Sequence, residues 1–123
     1  MSPIDPRDVL PHREPFLMLD RCLAMDSESV SCERLFRPEE EVFAGHFPGD
    51  PIVPGVLLIE GLAQTLAYFA LRTRPGHNVL LTGVDKAKFR RPVRPGETVR
   101  FDVTIDRLLM NVVHATGKAT VGG

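Results

Sequence analysis

From Val56 to Leu71 the chain is apolar except at Glu60, Gln64 and Thr65, and Glu60 is the only charged residue in the run. Pro54-Gly55 precedes it and Arg74-Pro75-Gly76 follows it. Proline is tolerated at a helix start and the Pro-Gly pair stops one, so the segment predicts a helix from Pro54-Gly55 to about Arg72. At 1.5 Å per residue it is about 27 Å long. Apolar residues lie almost all round it, as in a helix enclosed by other structure. It is shorter than the ~20 apolar residues of a membrane span and carries polar groups, which makes it the buried helix of a soluble fold.

The flanking segments supply strands. Phe16–Met25 is apolar enough for one, with Asp20-Arg21 inside it. In Val30–Phe36, Val30, Cys32 and Phe36 fall on one side and Ser31, Glu33 and Arg37 on the other. Three more runs follow the helix: Val79–Phe89, Val99–Leu109 and Val112–Thr120. The second alternates, with Val99, Phe101, Val103 and Ile105 inward and Arg100, Asp102, Thr104 and Asp106 outward. Asn111 marks a turn before the third. Pro3, Pro6, Pro11 and Pro15 make the first fifteen residues an irregular arm with one short helical turn around Pro6–Leu10, and Phe43–Pro54 reads as a loop. The expected fold is α+β: a curved antiparallel sheet wrapped around one long helix. One small sheet cannot cover so apolar a helix on every side, so a second copy of the chain is expected to complete the burial.

At 123 residues the chain suits a single domain, and 43% apolar with 25% charged residues is ordinary for a globular protein. A net charge of −1 gives no general attraction to nucleic acid or to an anionic membrane. Cys22 and Cys32 have neither metal-ligand nor disulfide-framework spacing and read as small buried hydrophobes in a reducing compartment. The N-terminal residues lack a signal-peptide apolar stretch, so a cytoplasmic location is expected.

A carboxylate in apolar surroundings is costly unless paired or protonated, and His46 is the evident partner of Glu60. Histidine can serve as a general base near neutral pH, and Gly45, Pro48, Gly49 and Pro51 stiffen the loop around it. Glu60 and Gln64, four residues apart, share one helix face. Burial favours the protonated form of a carboxyl group, which suits Glu60 to general acid work, with Gln64 holding it. The amides of Gly55 and Val56 at the helix N-terminus can polarise a carbonyl oxygen. Base, acid and carbonyl donors suit proton abstraction beside a carbonyl, followed by loss of a group from the β-carbon.

These residues resemble the FabZ-type (3R)-3-hydroxyacyl-[acyl-carrier-protein] dehydratases. Three segments carry the resemblance: Leu10-Pro11-His12-Arg13-Glu14-Pro15-Phe16-Leu17 with Asp20-Arg21; Gly45-His46-Phe47-Pro48-Gly49 through Pro54-Gly55-Val56 and Glu60 to Gln64; and Gly83 through Val93 with Pro95-Gly96. It implies a hotdog fold and a homodimer with its active sites at the interface, often assembled as a trimer of dimers. His46 of one subunit would face Glu60 of the other. His46 would take the C2 proton, Glu60 would protonate the departing 3-hydroxyl, and Gly55 would donate its amide to the thioester carbonyl. No cofactor or metal is implied, and the implied partner is acyl carrier protein. Glutamate at position 60 is closer to the simple dehydratases than to the FabA-type enzymes that also isomerise. Lys86, Lys88, Arg90, Arg91 and Arg94 form a basic cluster, either a solvated edge or a docking surface for the acidic carrier. His12 and Arg13 are expected to be structural, and His77 and His114 have no evident task.

Two features depart from the resemblance. Pro38–Phe43 replaces a stretch where the family commonly has an Asn-Glu pair and two aromatics. Gly122-Gly123 reads as a hairpin turn, where one further strand of the family's sheet would be expected to follow. Two alternatives remain at this point: a hotdog thioesterase, which would yield the free acid, and a non-catalytic acyl-carrier-binding protein.

Overall fold

The alternating segments become an antiparallel meander of four strands, in the order β1-β2-β3-β4. The computed structural model describes residues 2–122, with helix α1 at Pro6–Val9, β1 at Arg21–Met25, β2 at Ser29–Leu35, α2 at Val42–Gly45, α3 at Gly55–Thr73, β3 at Thr98–Leu109 and β4 at Val112–Val121. Cys22 pairs with Cys32, Cys32 with Phe101 and Phe101 with Ala119, so these four residues form one row across the sheet. The first three are buried and both thiols are free. On β3 the expected alternation holds, with Val99, Phe101 and Val103 buried and Arg100 and Thr104 exposed.

The long helix α3 lies on this row. Gly61 brings the helix so close to the sheet that a Cβ there would sit 2.1 Å from Cζ of Phe101. Beside it, Gly117 on β4 makes room for Leu62. Gln64, Thr65, Ala67, Tyr68 and Phe69 are buried, so α3 is the core helix of a hotdog-like α+β fold. Val56, at the helix start, is 70% exposed. By length and composition α3 could cross a membrane, but its buried face belongs to the sheet.

Three expected boundaries are corrected. The first strand begins at Arg21, because the preceding residues bond elsewhere: the Phe16 and Leu17 amides donate to Arg13 and the Met18 amide to the Gln64 side chain. The loop expected from Phe43 begins with the short helix α2. Val79–Phe89 forms no strand. Among the described residues it has no ladder partner, and Leu80, Leu81, Val84 and Phe89 are all more than half exposed. Met110 and Asn111 make the tight turn between β3 and β4, with Met110 at φ 53°. Gly122 has the positive φ of a turn glycine, whereas Gly123 lies outside the described residues.

Candidate active site

The site is assembled by two segments, each locked by side-chain-to-backbone bonds. The first is the loop after α2. The His46 amide closes α2 by donating to the Val42 carbonyl, and the His46 carbonyl accepts from the Ile52 amide at 2.9 Å. The His46 ring nitrogen Nδ1 lies 2.8 Å from the Ile52 carbonyl oxygen. A carbonyl only accepts, so Nδ1 carries a hydrogen, and in the neutral ring Nε2 then keeps its lone pair. That is the form a general base requires. Phe47 stacks on the imidazole with centroids 4.1 Å apart. The Phe47 and Asp50 backbones bond each other in both directions, Gly49 supplies φ +79°, and the Val53 amide donates to Val93.

The base of this loop is tied to the sheet by a buried ion pair. Arg34 shares the inward side of β2 with Val30, Cys32 and Phe36, and its guanidinium stacks 4.5 Å from the Phe36 ring centroid. It donates to both Glu40 oxygens, at 3.0 and 2.7 Å. Burial alone would raise the Glu40 carboxyl. The Arg34 bond, the Arg37 amide and both arginine charges together outweigh that, holding it below the usual range. The backbone carbonyl of Glu40 in turn accepts from the Phe43 amide at the start of α2. The chain Arg34–Glu40–α2 therefore sets where His46 sits.

The second segment is the first half of α3. Glu60 is half-buried and accepts from Gln64 Nε2 at 2.8 Å. Gln64 is 1% exposed and fully used: its Oε1 accepts from Met18 and its amide also donates to the Phe16 carbonyl at 2.9 Å. The N-terminal arm thus holds Gln64, and Gln64 holds Glu60. At the start of α3, Leu57 donates back to Pro54, while the Gly55 and Val56 amides have no acceptor among the described residues. No hydrogen bond or ion pair joins His46 to Glu60 within one chain, again among the described residues.

A family model described as the FabA-like domain matches residues 10–123. Two relatives named 3-hydroxyacyl-[acyl-carrier-protein] dehydratase FabZ are 46% and 44% identical. The first, from Fusobacterium nucleatum, covers 91% of this chain and 81% of its own; the second, from Oenococcus oeni, covers 100% and 91%. The chain belongs to the FabZ-type dehydratase family. A chain of a solved structure, the dehydratase heterocomplex ApeI:P from Xenorhabdus doucetiae, is similar in fold, with TM-score 0.74 at 19% identity over 98% of this chain and 83% of that one.

In this FabZ-type chain the basic cluster divides in two. Arg91 pairs with Glu97 and Arg94 with Asp50, each at 2.9 Å, so both have structural partners. Lys86, Lys88 and Arg90 are exposed and unpaired among the described residues. Arg13 bonds the Leu10 and His12 carbonyls, and His12 stacks on Phe16. His77 and His114 are exposed. Sequence reasoning passed over the Ile52 carbonyl, the Phe16 and Met18 backbone and Arg34. Only Arg34 has a signal of its own, its parity with Val30, Cys32 and Phe36.

Proposed function

We propose that the chain dehydrates (3R)-3-hydroxyacyl groups carried on acyl carrier protein to trans-2-enoyl groups, in the cytoplasm, as a homodimer. The observation that carries this reading is the state of His46: Nδ1–H is spent on Ile52, leaving Nε2 as the basic atom. Nε2 takes a proton from C2, and the electron pair moves through the carbonyl, whose oxygen the Gly55 amide stabilises with Val56 beside it. The pair returns to form the C2=C3 bond as the C3–O bond breaks. The Glu60 carboxyl gives its proton to the leaving hydroxyl, which departs as water. The proton on His46 then restores Glu60. Gln64 keeps the Glu60 oxygen aimed.

The homodimer reading rests on the exposed Val56 at the helix start, the exposed apolar side chains of Leu80, Leu81, Val84 and Phe89, and the lack, among the described residues, of a hydrogen bond or ion pair between His46 and Glu60 within one chain. Each site takes His46 from one protomer and Glu60 from its partner. Lys86, Lys88 and Arg90, unpaired among the described residues, supply the cations for docking the acidic carrier.

The test is formation of the conjugated enoyl thioester from a (3R)-3-hydroxyacyl carrier substrate, followed by absorbance. His46→Ala and Glu60→Gln should each lose at least about a hundredfold in rate. Mixed and re-equilibrated, the two inactive variants should regain about a quarter of the wild-type rate, since half the dimers are mixed and one of their two sites is intact. No recovery would refute the shared site, and release of free acid would favour a thioesterase.

A further inference from the structure

Phe89 is 57% exposed, yet one edge of its ring has a fixed neighbour. A Cβ built on Gly55 would meet Cε1, Cζ and Cδ1 of Phe89 at 2.9, 3.1 and 3.2 Å. The ring therefore occupies the space that any side chain at position 55 would fill. Gly55 is the first residue of α3 and has an amide without an acceptor among the described residues. Lys88 and Arg90, both exposed and unpaired among the described residues, flank the ring in sequence.

We propose that Phe89 is a positioning residue of the dehydration: its ring walls the Gly55 amide and keeps water from it. This rests on the reading of Gly55 as the carbonyl donor. When C2 loses its proton, negative charge grows on the thioester oxygen. A hydrogen bond to that oxygen is stronger where water is excluded and the donor is already in place. A ring standing where a Gly55 side chain would lie supplies both conditions, because it fills that side of the residue and keeps the first turn of α3 from shifting towards it. Its effect falls on the transition state rather than on ground-state binding, so it belongs in kcat. The flanking cations place the same ring at the threshold between a carrier-docking surface and the reacting carbonyl.

The experiment compares wild type, Phe89→Ala, Phe89→Tyr and Gly55→Ala on a 3-hydroxyacyl pantetheine thioester, which needs no carrier docking. Phe89→Ala should lower kcat about tenfold and change KM less than about twofold, while Phe89→Tyr keeps most of the rate. Gly55→Ala should lower kcat in the same manner by driving the ring aside. It decides the matter should Phe89→Ala fold poorly. A second readout is the ratio of inhibition constants for a nitronate analogue, whose charged oxygen mimics that of the enolate, and the acyl thioether, in which a methylene replaces the carbonyl. Wild type should favour the nitronate, and Phe89→Ala should lose that preference. A full preference or an unchanged kcat in Phe89→Ala would overturn the role of Phe89 alone. No preference in wild type would overturn the Gly55 reading and the wall with it.

Discussion

The Nδ1 atom of His46 and the carbonyl oxygen of Ile52 lie 2.8 Å apart, while the amide of Ile52 donates to the carbonyl of His46 at 2.9 Å. One residue thus fixes both the backbone and the tautomer of the proposed base. In ring-labelled protein at neutral pH, the nitrogen chemical shifts of His46 should report hydrogen on Nδ1 and a free Nε2. Ile52→Pro removes the amide donor and should lower kcat about tenfold without unfolding the chain. The opposite tautomer, or an unaffected rate, would show that the Ile52 clamp does not prepare the base.

Gln64 joins the N-terminal arm to Glu60 through bonds to Met18, Phe16 and Glu60. Gln64→Leu keeps the volume but strands two backbone groups. It should cost about 2–4 kcal/mol of stability in denaturant titration and lower kcat about tenfold by releasing the Glu60 carboxyl. Gln64→Glu sets a carboxyl group against both Glu60 and the Phe16 carbonyl, and should be worse for activity than Gln64→Leu. Equal activity of Gln64→Leu and wild type would mean that Glu60 is aimed by something else.

The Arg34–Glu40 pair makes stability depend on acid. The folded state holds the Glu40 carboxyl below its ordinary value of 4.5, although burial by itself pulls the other way. A depressed carboxyl contributes stability above the unfolded value, and that contribution is lost as pH falls through the lower folded value. Wild type should therefore lose melting temperature as pH falls below about 4.5 more steeply than Glu40→Gln. At pH 7 Glu40→Gln should cost about 2 kcal/mol, a discounted figure because the carboxylate is 24% exposed while the arginine is not. Parallel acid profiles would remove Glu40 from the account.

The central helix, the arm with its short helical turn and the strands β2, β3 and β4 were legible in the sequence because each follows from local periodicity or from proline and glycine. The pair Glu60 and Gln64 was legible for the same reason: four residues on a helix make one face. What local pattern cannot supply is the destination of a backbone bond. Phe16–Met18 is as apolar as a strand, but its amides go to Arg13 and Gln64. Val79–Phe89 has strand composition, yet a strand exists only with a ladder partner, and the described residues provide none. Likewise the tautomer of His46 depends on a carbonyl, which every residue has and no side chain announces.

The contact between Gly61 and Phe101 sets how closely α3 lies on the sheet. Gly61→Ala adds a Cβ that falls 2.1 Å from Cζ and 2.5 Å from Cε1 of Phe101, both deep in the core. Phe101 is wholly buried in the row shared with Cys32 and Ala119, so its ring has no free direction in which to move. The helix must lift, and overpacking of this kind costs about 1–3 kcal/mol. Because α3 also carries Gly55 and Glu60, the shift should lower kcat together with melting temperature. Phe101→Leu alone should destabilise by about 1–2 kcal/mol through lost packing. The double variant Gly61→Ala/Phe101→Leu should be more stable than the sum of the single effects allows, since the smaller side chain leaves room for the new methyl group. Strict additivity in thermal or denaturant unfolding would place the limit on helix approach elsewhere in the sheet.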